Sequence, residues 1–278
     1  TNAVPDLAEA LKWAKLNEML FANDSLQIWV AAGTYHPKYL AQNLDSPYAT
    51  STSNTFLLAK NVQLYGGFSG TEDALSERNP SLHTTVLSAD YNNDDQLVGT
   101  GSNMALLNSY DNAIRLVLGY GDLGNARLDG FQLTGAPAGT LIETYREYTL
   151  AYASGITLLN SQLDISQCHF TNMIGSSGSA IHALNSRLKV DRTSFTYVKG
   201  GAIYFGDSRD DRKLTVSNSI FAHNHASNWG AAITIRSTNQ TDPNLILNCS
   251  FINSSTDSNG PDFGVDVGLE GIGITRIY

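Results

Sequence analysis

Down the second half of the chain, three short phrases return in the same order. A small-residue turn runs into an Ala-Ile strand at Gly178-Ser179-Ala180-Ile181, Gly200-Gly201-Ala202-Ile203 and Gly230-Ala231-Ala232-Ile233. A second apolar run follows at Leu188–Val190, Leu214–Val216 and Leu245–Leu247, with an earlier copy at Leu163–Ile165. Each unit closes on a phenylalanine phrase: Cys168-His169-Phe170, Thr193-Ser194-Phe195, Ser219-Ile220-Phe221, Cys249-Ser250-Phe251. The phenylalanines stand 25, 26 and 30 positions apart. A period in that range marks a solenoid, because a single repeat cannot bury its apolar face without neighbours above and below. The phrases repeat in one order and are never mirrored, so their strands must pair in parallel.

Alternation assigns the faces. Ile156, Ile181, Ile203 and Ile233 align, and two positions on so do Leu158, Ala183, Phe205 and Ile235. A strand period of two puts both sets inside. Thr157, His182, Tyr204 and Thr234 are then expected as an outward ladder. Ile165/Val190/Val216/Ile246 and Phe170/Phe195/Phe221/Phe251 complete the predicted interior. Cys168 and Cys249 share one column three coils apart, in line with Thr193 and Ser219. At about 4.8 Å per coil their separation is roughly 14 Å, twice the reach of a disulfide at about 7 Å. Two free, buried thiols are predicted.

The first half is less regular. Pro5-Asp6-Leu7-Ala8-Glu9 reads as a helix start, with Asp6 capping and Glu9 completing a capping box. Apolar positions Leu7, Ala10, Leu11, Ala14, Met19 and Leu20 suit one amphipathic helix ending near Asn23-Asp24, covering the open end of the array. Strands are expected at Ile28–Val30, Phe56–Leu58, Val62–Tyr65, Thr85–Leu87, Ala113–Leu118, Leu128–Leu133 and Gly155–Leu159. Segments 35–55, 89–112 and 136–152 read as excursions from the wall. The division is an N-terminal helical cap over 1–27 and one continuous β-helix over 28–278.

Composition removes several classes of function. Only 15% of the 278 residues are charged, the net charge is −9 and no Lys/Arg run occurs, which removes the electrostatic basis of nucleic-acid binding. No apolar run approaches the roughly 20 residues of a membrane helix. A monomer is expected. The chain opens on Thr1 in place of Met, so any export signal has either been removed or was never part of this sequence.

Gly200-Gly201-Ala202-Ile203 together with Phe221-Ala222-His223-Asn224 resembles the paired GGA[I/L/V] and FxxN repeats of polymorphic outer-membrane proteins. Ile28–Tyr35, Leu64–Glu72, Thr85–Asp90 and Leu128–Gly135 are similar to segments of secreted bacterial right-handed β-helix proteins. The resemblance covers about residues 28 to 255, although only Phe221 keeps the full FxxN phrase. It implies an all-β fold, a right-handed, three-faced, single-stranded parallel β-helix with the predicted helical cap. It also implies a secreted or cell-surface (outer-membrane-associated) location. The family often carries an anchoring region further C-terminal, which makes this chain a candidate piece of a longer surface protein.

Right-handed β-helices of the pectate-lyase-like fold include polysaccharide lyases and glycoside hydrolases, whose chemistry needs carboxylates and bases converging on one outer face. Of the polygalacturonase-like phrases only Asp-Asp pairs occur, at Asp94-Asp95 and Asp210-Asp211. Adjacent carboxylates on a strand point to opposite faces, so adjacency builds no acid/base pair. The charged segment Arg209–Lys213 has the residue types of a lyase site, and calcium is expected only under that alternative; otherwise no cofactor is. His223-Asn224-His225 offers two imidazoles where zinc needs three or four ligands. Aromatics give the better lead, because flat sugars stack on exposed rings. Tyr145 and Tyr148, with Tyr152, lie in the third excursion; Tyr197, Tyr204 and Trp229 lie outward or in turns. These are the candidate ligand-binding residues, with no catalytic or metal-ligating residue assigned. The sequence therefore points to a non-enzymatic surface module for adhesion or polysaccharide binding, with the carbohydrate-active enzyme and a purely architectural spacer as alternatives.

Overall fold

The structure is a computed structural model that describes residues 4–48, 50–137, 143–145, 148–150, 154–207, 212–238, 241–257, 266–271 and 273–278. The chain winds as a parallel β-helix with three faces. The first face stacks Leu26–Ala31, Val62–Phe68, Arg127–Asp129, Gln162–Ser166, Arg187–Asp191, Lys213–Ser217, Asn244–Leu247 and Thr275–Ile277, in chain order. The second face stacks Gly33–Tyr35, Thr85–Ser88, Phe131–Thr134, His169–Ile174, Ser194–Lys199, Ile220–Ala222 and Ser250–Ile252. The third runs from Phe56–Leu57 through Arg115–Tyr120, Ser154–Leu159, Ile181–Leu184, Ile203–Asp207 and Ile233–Ser237 to Val267–Glu270.

The predicted columns hold residue for residue. Ile156, Ile181, Ile203 and Ile233 are register partners in turn, as are Leu158, Ala183, Phe205 and Ile235. Phe170, Phe195, Phe221 and Phe251 form an internal stack with ring centroids 4.8, 4.7 and 5.3 Å apart, at interplanar angles of 11, 4 and 14°. That spacing is the strand repeat itself, so each ring rests flat on the one below. Cys168, Thr193, Ser219 and Cys249 also share a column. There Thr193 and Ser219 donate their hydroxyls to the carbonyl two residues back and accept the N–H of the preceding coil's residue. Cys168 is buried and free, and burial pushes its thiol up to about 12. Cys249 is free but half-buried, contrary to expectation, because the described chain above it supplies only the first-face strand Thr275–Ile277.

The corners are cut by left-handed residues. Asn172, Tyr197, His223 and Asn253 bend the chain within the second face, whose pairing resumes just beyond them, with φ of 54, 56, 57 and 51°. Gln167, Arg192, Asn218 and Asn248 make the corner between first and second faces. One coil earlier Gly130 (φ 83°) does the same, dividing the run expected as one strand over Leu128–Leu133 into Arg127–Asp129 and Phe131–Thr134. A Cβ at Gly130 would meet Arg78 Nη1 at 2.5 Å. Arg78 threads that space to bond the carbonyls of Gly66 and Asp129 and the Asp129 carboxylate.

At the N-terminal end the helix runs Leu7–Leu16 and buries Leu7, Ala8, Leu11 and Ala14 in the continuous core. Asp6 caps it through Ala8 N–H, as expected; Glu9 does not close a capping box but accepts the Tyr39 hydroxyl. The helix stops earlier than its periodicity suggests. Asn17 ends it, a 3-10 turn follows at Glu18–Phe21, and Met19 and Leu20 are 86% and 73% exposed while Phe21 is buried. Glu18 fixes the break by accepting Lys60 N–H at 2.7 Å and pairing with Lys15 at 2.8 Å. The first strand starts at Leu26, two residues before the expected Ile28. Beside it Trp29 stacks on Phe68, with centroids 4.9 Å apart.

All three expected excursions leave from one corner, between second and third faces. The middle one carries the hairpin Gln96–Val98 with Ala105–Leu107, and the last the hairpin Glu143–Tyr145 with Tyr148–Leu150.

Candidate functional site

The outward ladder on the third face is only partly outward. Thr157, His182 and Thr234 are buried, at 3%, 4% and 3% exposure, which corrects the expectation of a surface histidine. The turn before Ile181 folds back over the wall: His182 Nδ1 donates to the Ser177 carbonyl at 3.0 Å, and the ring lies flat on Tyr204, centroids 4.8 Å apart. Desolvation pushes the imidazole down to about 4, so it is neutral. Tyr204 is the rung of that ladder that remains half-exposed.

Around Tyr204 the wall opens into a cleft of about 380 Å³, whose lining includes Leu184, Gly206, Asp207, Arg236 and Glu270. Glycine at 206 makes the opening: a Cβ there would stand 3.0 Å from Tyr204 Cε1 and 3.1 Å from Leu184 Cδ2. Arg236 is the hub. It hydrogen-bonds the Tyr204 hydroxyl, pairs with Glu270 at 2.8 Å, and lies over the Trp229 ring with its guanidinium carbon 5.7 Å from the centroid. Those contacts, Tyr204 first, hold its proton more firmly than usual. Tyr204 and Trp229 are thus brought together through a residue that the sequence reading did not single out.

The other aromatic candidates lie elsewhere. Tyr197 sits at the bend within the second face, 36% exposed, stacked on His223 with centroids 5.1 Å apart. Tyr145 and Tyr148 face each other in register across the third excursion's hairpin, their side chains and Tyr152 lying outside the described residues. The two imidazoles of His223-Asn224-His225 diverge. His223 is exposed, whereas His225 is 1% exposed and contacts Ser255 Oγ at 3.0 Å and Asp257 Oδ2 at 3.3 Å, a carboxylate the sequence reading had not placed there.

Around the next corner, between third and first faces, runs a polar groove of about 880 Å³. Gln63, Arg127, Gln162, Arg187 and Arg212 line it from successive coils, with Asp122, Asn125, Asn160 and Asp164 between them. Gln162 and Arg187 are register partners, as are Gln63 and Arg127, then Arg127 and Asp164. Asp122 accepts bonds from Lys60, Gly124 N–H and Gln162, Lys60 first among the causes that bring its carboxyl down to about 2. Continuing the alternation outward along the first-face strands would have found these columns; the sequence reading followed only their apolar positions.

The acidic phrases behave differently from each other. Asp94 gathers with Asp90 and Asp111, one oxygen of each within 4.8 Å of the others, in the loop of the second excursion. Asp95 beside them is held by Asn112, and desolvation raises its carboxyl to about 6. Asp210 and Asp211 lie outside the described residues. In the cleft, Asp207 pairs in register with Ser237, and Glu270 with the preceding Arg236, so the two carboxylates belong to strands two coils apart, about 10 Å along the axis. That is well beyond the roughly 5–5.5 Å of a nucleophile and acid acting together and at the upper edge of the roughly 6.5–9.5 Å of an acid and base that activate a water between them.

No family model, curated protein or solved structure matches the chain.

Proposed function

We propose that the protein is an exported, surface-displayed β-helix that binds polysaccharide or glycan through its third face, without chemistry. The cleft around Tyr204 carries this reading: a half-exposed aromatic ring held flat by a buried histidine, beside an arginine already oriented by a carboxylate and an indole. Rigid rings offer a stacking surface at little entropic cost, and a fixed guanidinium supplies directional donors to sugar hydroxyls. Pre-ordering of this kind lowers the cost of binding. The GGAI and FxxN phrases support display outside the cell, through the resemblance they carry. The acid–base alternative has less support, because Glu270 is tied to Arg236 and Asp207 stands two coils away.

The test is binding to a broad panel of neutral and acidic glycans and glycoproteins by the protein and by Trp229→Ala and Tyr204→Phe. At least one glycan class should bind, tenfold more weakly to Trp229→Ala. Tyr204→Phe keeps the stack on His182 but drops the hydroxyl that orients Arg236, and should weaken binding less. Silence across the panel, or binding indifferent to both substitutions, would sink the proposal.

A further inference from the structure

The geometry points to a second ligand site, separate from the Tyr204 cleft. The groove between third and first faces is built to hold an extended, sparsely charged polysaccharide lying parallel to the solenoid axis. It rests on different residues from the cleft and stands whether or not the cleft binds anything.

Periodicity supports it first. The groove takes one long polar side chain from each of five successive coils: Gln63, Arg127, Gln162, Arg187 and Arg212. Four steps of about 4.8 Å give a track of about 19 Å. The rise per residue of an extended glycan is close to one such step, so a chain laid along the track meets a polar side chain at every sugar, from the Gln63–Arg127–Asp164 column in the first coils and from the Gln162–Arg187 column, two residues back along the strand, in the later ones. A compact ligand would use only one or two of them. The chemistry of the lining supports it as well. Gln63, Gln162, Asn125 and Asn160 each offer a donor and an acceptor, as vicinal hydroxyls require. Three guanidiniums (Arg127, Arg187, Arg212) stand against two carboxylates (Asp122, Asp164), so the lining carries hydrogen-bonding capacity with little net field. A densely sulfated chain would meet Asp122 and Asp164, whereas hydroxyls can bond to every group present. The lining is also held in place. Asp122 is fixed by Lys60, Gly124 and Gln162, and Arg127 lies between Asp129 at 3.2 Å and Asp164 at 3.5 Å.

Calorimetric titration with unbranched neutral oligosaccharides of two to eight residues (cello-, manno- and xylo-series) tests the inference, with a uronate series and a sulfated series alongside. At least one neutral series is expected to bind with affinity rising per residue up to about four and then levelling, the track length fixed by four coil steps. Gln162→Ala and Arg187→Ala should each weaken it at least tenfold with an unchanged urea midpoint, whereas Trp229→Ala should leave it unaltered. Loss on Trp229→Ala would assign the binding to the cleft and overturn the groove. Affinity independent of length, absence of binding by every neutral series, or binding confined to the sulfated series with steep salt dependence would overturn it equally. If either substitution lowers the midpoint, Gln162→Met or Arg187→Met at the same position, which keeps most of the side chain's length without its polar head, takes its place, and unchanged binding then counts against the inference.

Discussion

His182 shows how one side chain reports on the coil around it. The ring is pressed between the turn at Ser177 and the Tyr204 ring, and burial holds it neutral with a proton affinity lowered to about 4 from 6.5. Between those two values the unfolded chain binds a proton here that the folded chain refuses. Stability must then fall as pH drops from about 6.5 towards 4, by up to roughly 3 kcal/mol for this site. His36 and His169, also lowered by burial, push the same way, while the raised carboxyl of Asp95 opposes them. The difference between wild type and His182→Gln isolates the site: urea midpoints at pH 7 and 4.5 should lie further apart for wild type than for the variant. Equal pH dependence in both would show that His182 is not the titrating group. The burial of His182 was not legible in the sequence, because alternation assigns a side to each residue but not the turn that folds over it. Asn224 is the opposite case. The FxxN phrase marks it, and the structure gives the reason: its Oδ1 accepts Val198 N–H at 3.0 Å and its Nδ2 donates to the Phe195 carbonyl at 3.1 Å, stapling two coils inside the wall.

Among elements, the strands owe their order to stacking of like on like. Phe195 has a ring on each side and no exposure, whereas Phe251 in the last complete coil is half-buried. Phe195→Ala should cost about 3–5 kcal/mol, and Phe251→Ala roughly half that. Urea unfolding of the two variants decides it; equal losses would mean that the column is not the unit of cohesion. This level was the most legible, since a period near 25 with fixed phrases leaves few registers open. What stayed hidden were the breaks. The helix ends at Leu16 because Glu18 turns away to cap Lys60 N–H, a contact 42 residues distant that no local pattern carries. The division at Gly130 depends likewise on Arg78, more than 50 residues before it.

The whole molecule behaves as a linear array, in which each coil is held only by those beside it. Protection against amide exchange should therefore be graded. It should be highest in the central coils over 162–207, flanked on both sides, and lower over 244–257, with the first coil sheltered by the helix. Uniform protection along the axis would mean that the chain opens in a single step and not coil by coil. The two candidate sites follow the same logic, because each collects side chains distant in sequence and adjacent in the stack. Their residues were legible singly, as outward positions, but not as sites, since Arg236 and Gly206 carry no phrase of their own.

The corner between second and third faces accepts long excursions in three consecutive coils and only short turns in later ones, from Ile174 to Ile181 and from Lys199 to Ile203, while the rungs on either side stay in step. Reach along the stack is therefore set by how many times the chain goes round, not by how many amino acids it spends on each circuit. A foreign peptide spliced into that bend would be carried as cargo at a fixed height, its neighbours undisturbed.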